Sequence, residues 1–596
     1  MNERTRRISR VLLREMYNER ESGLVMDGLS GLLKKYRRAF PTHQTEKKSF
    51  SERDVILITY PDQIREEGAP PLKVLSEFFE RHLGEAVRHL HILPFYPSSS
   101  DDGFSVIDYR RVDPEWGTWE EIARLSKNYS LMLDAVINHA SVRGDWFQAF
   151  LRDENAYRNF FIEAKDCPDL SQVVRPRPSP LLHRFGAAPA EKTVWTTFSD
   201  DQVDLNYKNP RVLLEMTDLL LYYAARGAAI LRLDAVAYLW KESGTACINL
   251  PQTHRIVQLL RAVIEEAAPG VKLATETNVP HAENIAYFGD GSNEAHLVYN
   301  FALPPLVLDT FHTGDHRRLS GWEDSLSHPG RDAAFLNFLA SHDGIGLNPV
   351  RDILPAENLQ RLIQTTLDHG GRISYKQNPD GGTQPYELNI NYFDALSNPF
   401  GNEPLELQIR RFLCAHAVLL SLAGVPALYF HSLFGSRGWR EGIEQTGLNR
   451  TINRQKLFRA DLERELADPS GFRRRVFSGL IRLIQARKNS SAFDPWGSQR
   501  TLDCGSAVFS LLRIPSQTGE PVLCLHNVTE SHQVFSLDVD AAFGPVPAGA
   551  WITDLIGGGS YDPRLMNPFL LEPFQVCWLT PHGGRQRPEK ERSAPA

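Results

Sequence analysis

Cysteine is scarce in this chain of 596 residues: Cys167, Cys247, Cys414, Cys504, Cys524 and Cys577 lie far apart and form no C-x-x-C pair. That spacing excludes paired-thiolate zinc sites and thiol oxidoreductase motifs, and it fits a reducing compartment. Long apolar runs are missing as well. Nothing approaches the roughly 20 apolar residues of a membrane-spanning helix, and the richest stretch, 415–423, is broken by Gly424 and Pro426. The first fifty residues are crowded with charge (Arg4, Arg6, Arg7, Arg10, Arg14, Arg20), and their apolar stretch at 11–13 is far too short for a signal-peptide core. The expectation is a cytoplasmic protein. A dominant charge of one sign is also lacking. The 66 Lys and Arg stand against 73 Asp and Glu, and the net charge of −7 argues against nucleic acid or an anionic membrane as partner. No H-E-x-x-H or other tight ligand spacing points to a metal, no internal repeat occurs, and no cofactor is expected.

What is present is ordinary globular composition, 42% hydrophobic and 23% charged, in a chain long enough for about four structural units. Residues 1–50 read as an amphipathic helical arm, with Val11, Leu12, Leu32 and Leu33 among Arg and Lys, packed on the main body. From residue 54, short β-branched or apolar runs at 55–59, 90–93, 131–137, 229–233, 272–275, 297–299, 335–339 and 426–430 alternate with helix-period segments such as 210–225 and 253–267. Repeated βα units imply a parallel sheet, and eight strands close a (β/α)8 TIM barrel, expected over 51–140 and 200–490. Two gaps are too long for simple crossovers. They contain Arg175-Pro-Arg-Pro-Ser-Pro180 and Asn378-Pro-Asp-Gly-Gly382, so inserted loop regions are expected at 141–199 after strand three and 344–410 after strand seven. Strand-like runs at 507–514, 522–526, 534–537 and 574–579 predict a C-terminal antiparallel β domain over 495–582, followed by a disordered tail at 583–596.

Charged residues at the C-terminal ends of buried strands need a reason. Strand three carries Asp134 and then Asn138-His139, strand four ends Arg232-Leu-Asp234, strand five is followed by Glu276, and strand seven by His342-Asp343. In a parallel barrel these ends share one rim, so their side chains converge on a single cavity. One such acid alone reads as a salt bridge or helix cap; four strands ending this way together read as a site. Three carboxylates around a pocket suit glycoside chemistry, where one attacks the anomeric carbon and a second protonates the leaving oxygen. An arginine two residues before an aspartate would help keep it ionised.

Asp134-Ala-Val-Ile-Asn-His139, Leu231-Arg-Leu-Asp-Ala-Val236, Glu276 and Ser341-His-Asp343 resemble, in order, the four conserved regions of the α-amylase superfamily, glycoside hydrolase family 13. Leu57-Ile-Thr-Tyr60, Asp101-Asp-Gly-Phe104, Lys241-Glu-x-Gly-Thr-x-Cys247 and Arg450-Thr-Ile-Asn-Arg454 resemble its sucrose phosphorylase branch. Thr275-Glu-Thr-Asn-Val-Pro280, Asn284-Ile-Ala-Tyr-Phe-Gly289 and Pro385-Tyr-Glu387 look most like the glucosylglycerate phosphorylases within it.

The resemblance implies a retaining phosphorylase, a glycosyltransferase acting on a glucoside of a small acceptor. Asp234 would be the nucleophile, Glu276 the general acid/base and Asp343 the transition-state stabiliser. His139, Arg232 and His342 would bind glucose, Phe104 would stack on its apolar face, and Arg450 would pair with Asp101 at the 4-hydroxyl. Arg177 matches the phosphate-contacting arginine and Tyr386 the loop tyrosine. Around that tyrosine stand Gln384 and Glu387, where sucrose phosphorylase carries an acid and a glutamine, which departs from fructose recognition. A carboxylate acceptor such as glycerate would want a cation, from Arg372 or Lys376, whereas Glu387 suits a neutral polyol such as glycerol equally well. The partners implied are a small sugar substrate and phosphate, in a monomer or homodimer.

Overall fold

The computed structural model describes residues 1–40, 49–187, 191–326, 329–330, 332–377, 382–545, 547 and 550–582. The expected tail at 583–596, and residues 378–381 of the glycine-rich turn, lie outside the described residues.

Eight strands form the centre: β1 (Ile56–Thr59), β2 (His89–Ile92), β3 (Ser130–Val136), β4 (Ala228–Asp234), β5 (Lys272–Thr275), β6 (Leu297–Tyr299), β7 (Ala334–Phe338) and β8 (Val425–Tyr429). They close into a barrel in sequence order, every neighbouring pair parallel and β1 joined to β8. Most of these strands are buried at every position, as expected where one face fills the barrel and the other lies under helices. The helix Pro210–Ala225 shows why the crossovers are helical. Asn209 caps it by accepting from the Arg211 amide, Pro210 occupies its first turn, and Val212, Leu213, Met216 and Leu220 are among the residues it buries.

The N-terminal arm consists of α1 (Glu3–Arg14) and α2 (Glu19–Tyr36), and it belongs to the main core. Leu12, Leu13, Val25, Leu29 and Leu33 are buried there, while Val11 is 56% exposed because it lies on the opposite side of α1. Helix α2 approaches the barrel helix closely: a Cβ on Gly28 would lie 2.6 Å from the Leu214 side chain. The Tyr17 hydroxyl donates to the Tyr207 carbonyl at 2.6 Å, and Lys35 pairs with Asp218 at 2.7 Å.

After β3 the chain forms a ladder of His139–Ser141 with Gln202–Asp204 and a hairpin of Leu182–Phe185 with Lys192–Trp195. A small apolar cluster of Ile162, Cys167, Val173, Leu181 and Trp195 supports it, completed by Cys247 from the loop after β4. After β7 come the helix Ala356–Asp368 and a sheet of Ile345–Gly346, Thr383–Asn389 and Arg372–Gln377. The C-terminal region holds a six-stranded antiparallel sheet in which Val508–Ile514, Val522–Asn527 and Val576–His582 are adjacent. The run expected at 534–537 is displaced: Gln533–Phe535 pairs with Phe569–Leu571 in a separate ribbon. Ser498–Thr501, Trp551–Asp554 and Ser560–Tyr561 also join the main sheet, although they are short and partly polar. No helix among the described residues is long and apolar enough to cross a membrane.

Candidate active site

The register of β3, β4 and β5 sets the floor of the site. Asp134 lies opposite Arg232, and Leu233 opposite Thr275, so Asp234 and Glu276 stand level, each one residue beyond that pair. Arg232 serves three carboxylates: it donates to Asp134, donates to Asp234 Oδ1 at 2.8 Å, and has Nη2 3.9 Å from Glu276 Oε2. His91 Nε2 meets the other Asp134 oxygen at 2.7 Å. Ala235 takes a left-handed φ of 50°, costly for a residue with a Cβ, and its amide donates to Glu276 Oε2 at 3.0 Å.

Burial pushes the Asp234 carboxyl well above the usual carboxylate range, and nearby Glu276 adds to the rise while Arg232 opposes it. Glu276 is also raised, first by burial and then by Asp343, again against Arg232. Arg232, whose guanidinium is divided among three acids, opposes the rise at Asp234 without cancelling the effect of burial there. Asp343 differs. Burial works against its charge, but Arg450, with Nη1 2.6 Å away, and then Arg454 outweigh it and hold this carboxyl below its ordinary range.

The glucose-side residues expected from the sequence meet at the same rim. Asp101, Asp102 and Gly103 all have positive φ, and a Cβ at Gly103 would lie 2.6 Å from the Pro94 carbonyl oxygen. This turn sets Phe104 against His342, ring centroids 5.0 Å apart and nearly parallel. His139 Nε2 donates to the Phe104 carbonyl at 3.0 Å. Burial brings His342 down to about 3, so it is neutral at physiological pH. The expected pairing of Arg450 with Asp101 is not formed. Arg454, four residues on, has Nη1 2.6 Å from Asp102 and 3.6 Å from Asp101, and its Nε donates to the His342 carbonyl at 2.9 Å.

Arg450 points instead to the hairpin inserted after β7. Its Nε and Nη2 donate to Glu387 at 3.1 and 2.5 Å, a two-point pair, while Nη1 reaches Asp343. Arg177 Nη1 lies 4.0 Å from Glu387 Oε2, and Tyr386 is buried beside it. Asp101, Phe104, His139, Arg177, Asp234, Glu276, His342, Asp343, Tyr386, Glu387 and Arg450 all line one narrow cavity of about 60 Å³. Gln384, Arg372 and Lys376 do not. Arg372 is exposed at the far end of its hairpin, and Gln384 and Lys376 pair with each other along it.

Sequence reasoning passed over Tyr238, Phe198, Gln202, Thr277, Asn278 and Phe301, which also line the cavity. It also left unexplained Lys241, whose ammonium donates to Asp204 at 2.5 Å, to Asn138 at 3.0 Å and to the Tyr238 carbonyl. This buried cation ties the insertion after β3 to the loops beside His139 and Tyr238. Among the described residues, no group of three or more His, Cys, Asp and Glu could hold a metal ion.

Residues 82–323 match the family model described as alpha amylase, catalytic domain, a stretch that includes Asp234 and Glu276 and ends before β7. The glucosylglycerate phosphorylase of Spirochaeta thermophila is 48% identical over 96% of this chain and 98% of its own, and that of Escherichia coli is 44% identical over 90% and 93%. Among solved structures, sucrose 6F-phosphate phosphorylase from Thermoanaerobacter thermosaccharolyticum superposes with a TM-score of 0.70 at 24% identity, covering 82% of this chain and 96% of that one. The last is a likeness of fold; identity sustained across nearly the whole length goes further, and by it this chain belongs to the glucosylglycerate phosphorylase family within the α-amylase superfamily.

Proposed function

We propose that this protein catalyses the reversible phosphorolysis of 2-O-α-D-glucosylglycerate to α-D-glucose 1-phosphate and D-glycerate. The observation that carries the substrate is the 44–48% identity to three glucosylglycerate phosphorylases over 90–96% of the chain. The reaction runs by double displacement through a β-glucosyl-enzyme. An Asp234 carboxylate oxygen bonds to the anomeric carbon as the bond to glycerate breaks, and Glu276 gives its proton to the departing oxygen. Phosphate then attacks the same carbon, Glu276 takes back a proton from it, and Asp234 leaves with its electron pair. Two inversions return the α configuration.

This cycle needs one proton on the Asp234 and Glu276 pair. Asp234 accepts the charge-assisted bond from Arg232 at 2.8 Å, whereas the nearest guanidinium nitrogen to Glu276 is 3.9 Å away, so the proton rests on Glu276. Asp343, held ionised by Arg450 and Arg454, faces the positive charge that develops on the sugar ring. Phe104, His139, His342 and Asp101 hold the glucosyl group, and Arg177 with Tyr386 receives phosphate. The six thiols, all unpaired and buried, suit a cytoplasmic location. Nuclear magnetic resonance of the products formed from glucosylglycerate and inorganic phosphate tests the reading. α-Glucose 1-phosphate with D-glycerate supports it; the β anomer, or free glucose as the main product, overturns it.

A further inference from the structure

Glu387 stands at an unusual place for an acid if the site is to admit phosphate and a carboxylate. It is 1% exposed, lines the cavity, and comes from the strand Thr383–Asn389 of the hairpin inserted after β7. Arg450 comes from the 3-10 turn Asn449–Asn453 after β8. Their two-point pair, with Arg450 also on Asp343, engages all three guanidinium nitrogens of Arg450. Arg177 meets Glu387 only at 4.0 Å, beyond hydrogen-bond reach. The four groups Asp343, Arg450, Glu387 and Arg177 balance to zero charge, yet their hydrogen bonds are unequally shared. Arg450 is occupied and Arg177 is open.

We infer that Glu387 determines acceptor specificity by holding Arg450 away from the acceptor, which leaves Arg177 as the one guanidinium of this pair that meets an incoming anion. The inference rests on the reading of the site as a glucosylglycerate phosphorylase. The negative charge of Glu387 is neutralised by Arg450, so it does not repel a carboxylate as an unpaired acid would. Phosphate and glycerate then compete for the same open guanidinium. A neutral polyol gains nothing from it, and a dianionic acceptor finds no second free cation in the pair.

The test is Glu387→Gln, which keeps the shape and one acceptor oxygen but releases the charge that binds Arg450. Initial rates of phosphate release from glucose 1-phosphate are measured with D-glycerate and with glycerol for the native enzyme and the variant. Removing one negative charge at this range is worth about tenfold in binding an anion. The expected result is a fall of about tenfold in KM for glycerate that glycerol does not share, so that the ratio of kcat/KM for glycerate over glycerol rises. An unchanged or lower ratio overturns the inference. The double variant Arg450→Leu/Glu387→Leu guards against a folding defect: it should retain a lower KM for glycerate than Arg450→Leu alone, where Glu387 is free to seize Arg177. Equal KM values in those two variants would likewise overturn it. If the native enzyme itself uses glycerol and not glycerate, the proposed function fails instead, whatever the variants do.

Discussion

At the proposed glucose end of the cavity, Arg232, Asp234 and Glu276 stand on or directly after adjacent strands whose parallel register brings them level. At the proposed acceptor end, Arg177, Tyr386 and Glu387 come from two insertions, and side-chain pairs such as Glu387 with Arg450 hold them in place. The barrel backbone positions the first set, so its geometry survives changes in neighbouring side chains. The second set depends on its own charges, so single substitutions there can redirect specificity without dismantling the chemistry. This difference explains how one fold serves many acceptors while keeping one glucosyl-transfer step.

The two ends should therefore respond differently to mutation. Asp234→Asn removes the proposed nucleophile, and turnover should fall by more than about 10⁴-fold with every acceptor alike. Phosphate release from glucose 1-phosphate measures it, and a variant that loses one acceptor but keeps another would break the comparison. Arg454→Met frees Asp102 and loosens the His342 carbonyl, so kcat/KM should drop by roughly 100-fold, from the loss of charge-assisted hydrogen bonds, again equally for all acceptors. Arg177→Ala should raise the KM for phosphate by about tenfold while hydrolysis of the glucosyl-enzyme changes far less. Equal losses in both reactions would remove Arg177 from the phosphate site.

The smallest effect lies away from both ends. Glu323, at the contact between the barrel helix Arg317–Asp324 and the C-terminal sheet, is pushed up to about 7 by burial and by Asp324. A carboxyl whose folded pKa is raised adds stability that is complete below its unfolded value near 4.5 and is lost as pH rises through about 7. Glu323→Gln removes this titration, so the decline in melting temperature between pH 5 and pH 8 should shrink by a few degrees. Activity at pH 7 should stay unchanged.

All eight barrel strands were legible within one residue, because short apolar runs between amphipathic helices have few alternative arrangements. Asp234 and Glu276 were legible for the same reason: each breaks an apolar run at the point where a barrel strand must stop, whereas Asp134 lies inside β3 and Asp343 five residues beyond β7. The choice between Arg450 and Arg454 was not. One lies in a short turn and the other directly after it, and only the pairing of Arg450 with Glu387, 63 residues earlier, decides which arginine is left for Asp101 and Asp102. Nor could Arg372 or Lys376 be judged from composition. The irregular register between Ser374 and Tyr375 changes which side chains of the hairpin face the cavity, and a one-residue slip exchanges the two faces. Long-range ion pairs and a bulge leave little trace in local pattern, and both are concentrated at the acceptor end.

The most direct test is synthesis from glucose 1-phosphate with D-glycerate, glycerol, fructose and fructose 6-phosphate offered separately, with phosphate release as the readout. The account predicts rapid release with D-glycerate and at most slow release with the other three. Preference for fructose, fructose 6-phosphate or glycerol over D-glycerate would contradict it.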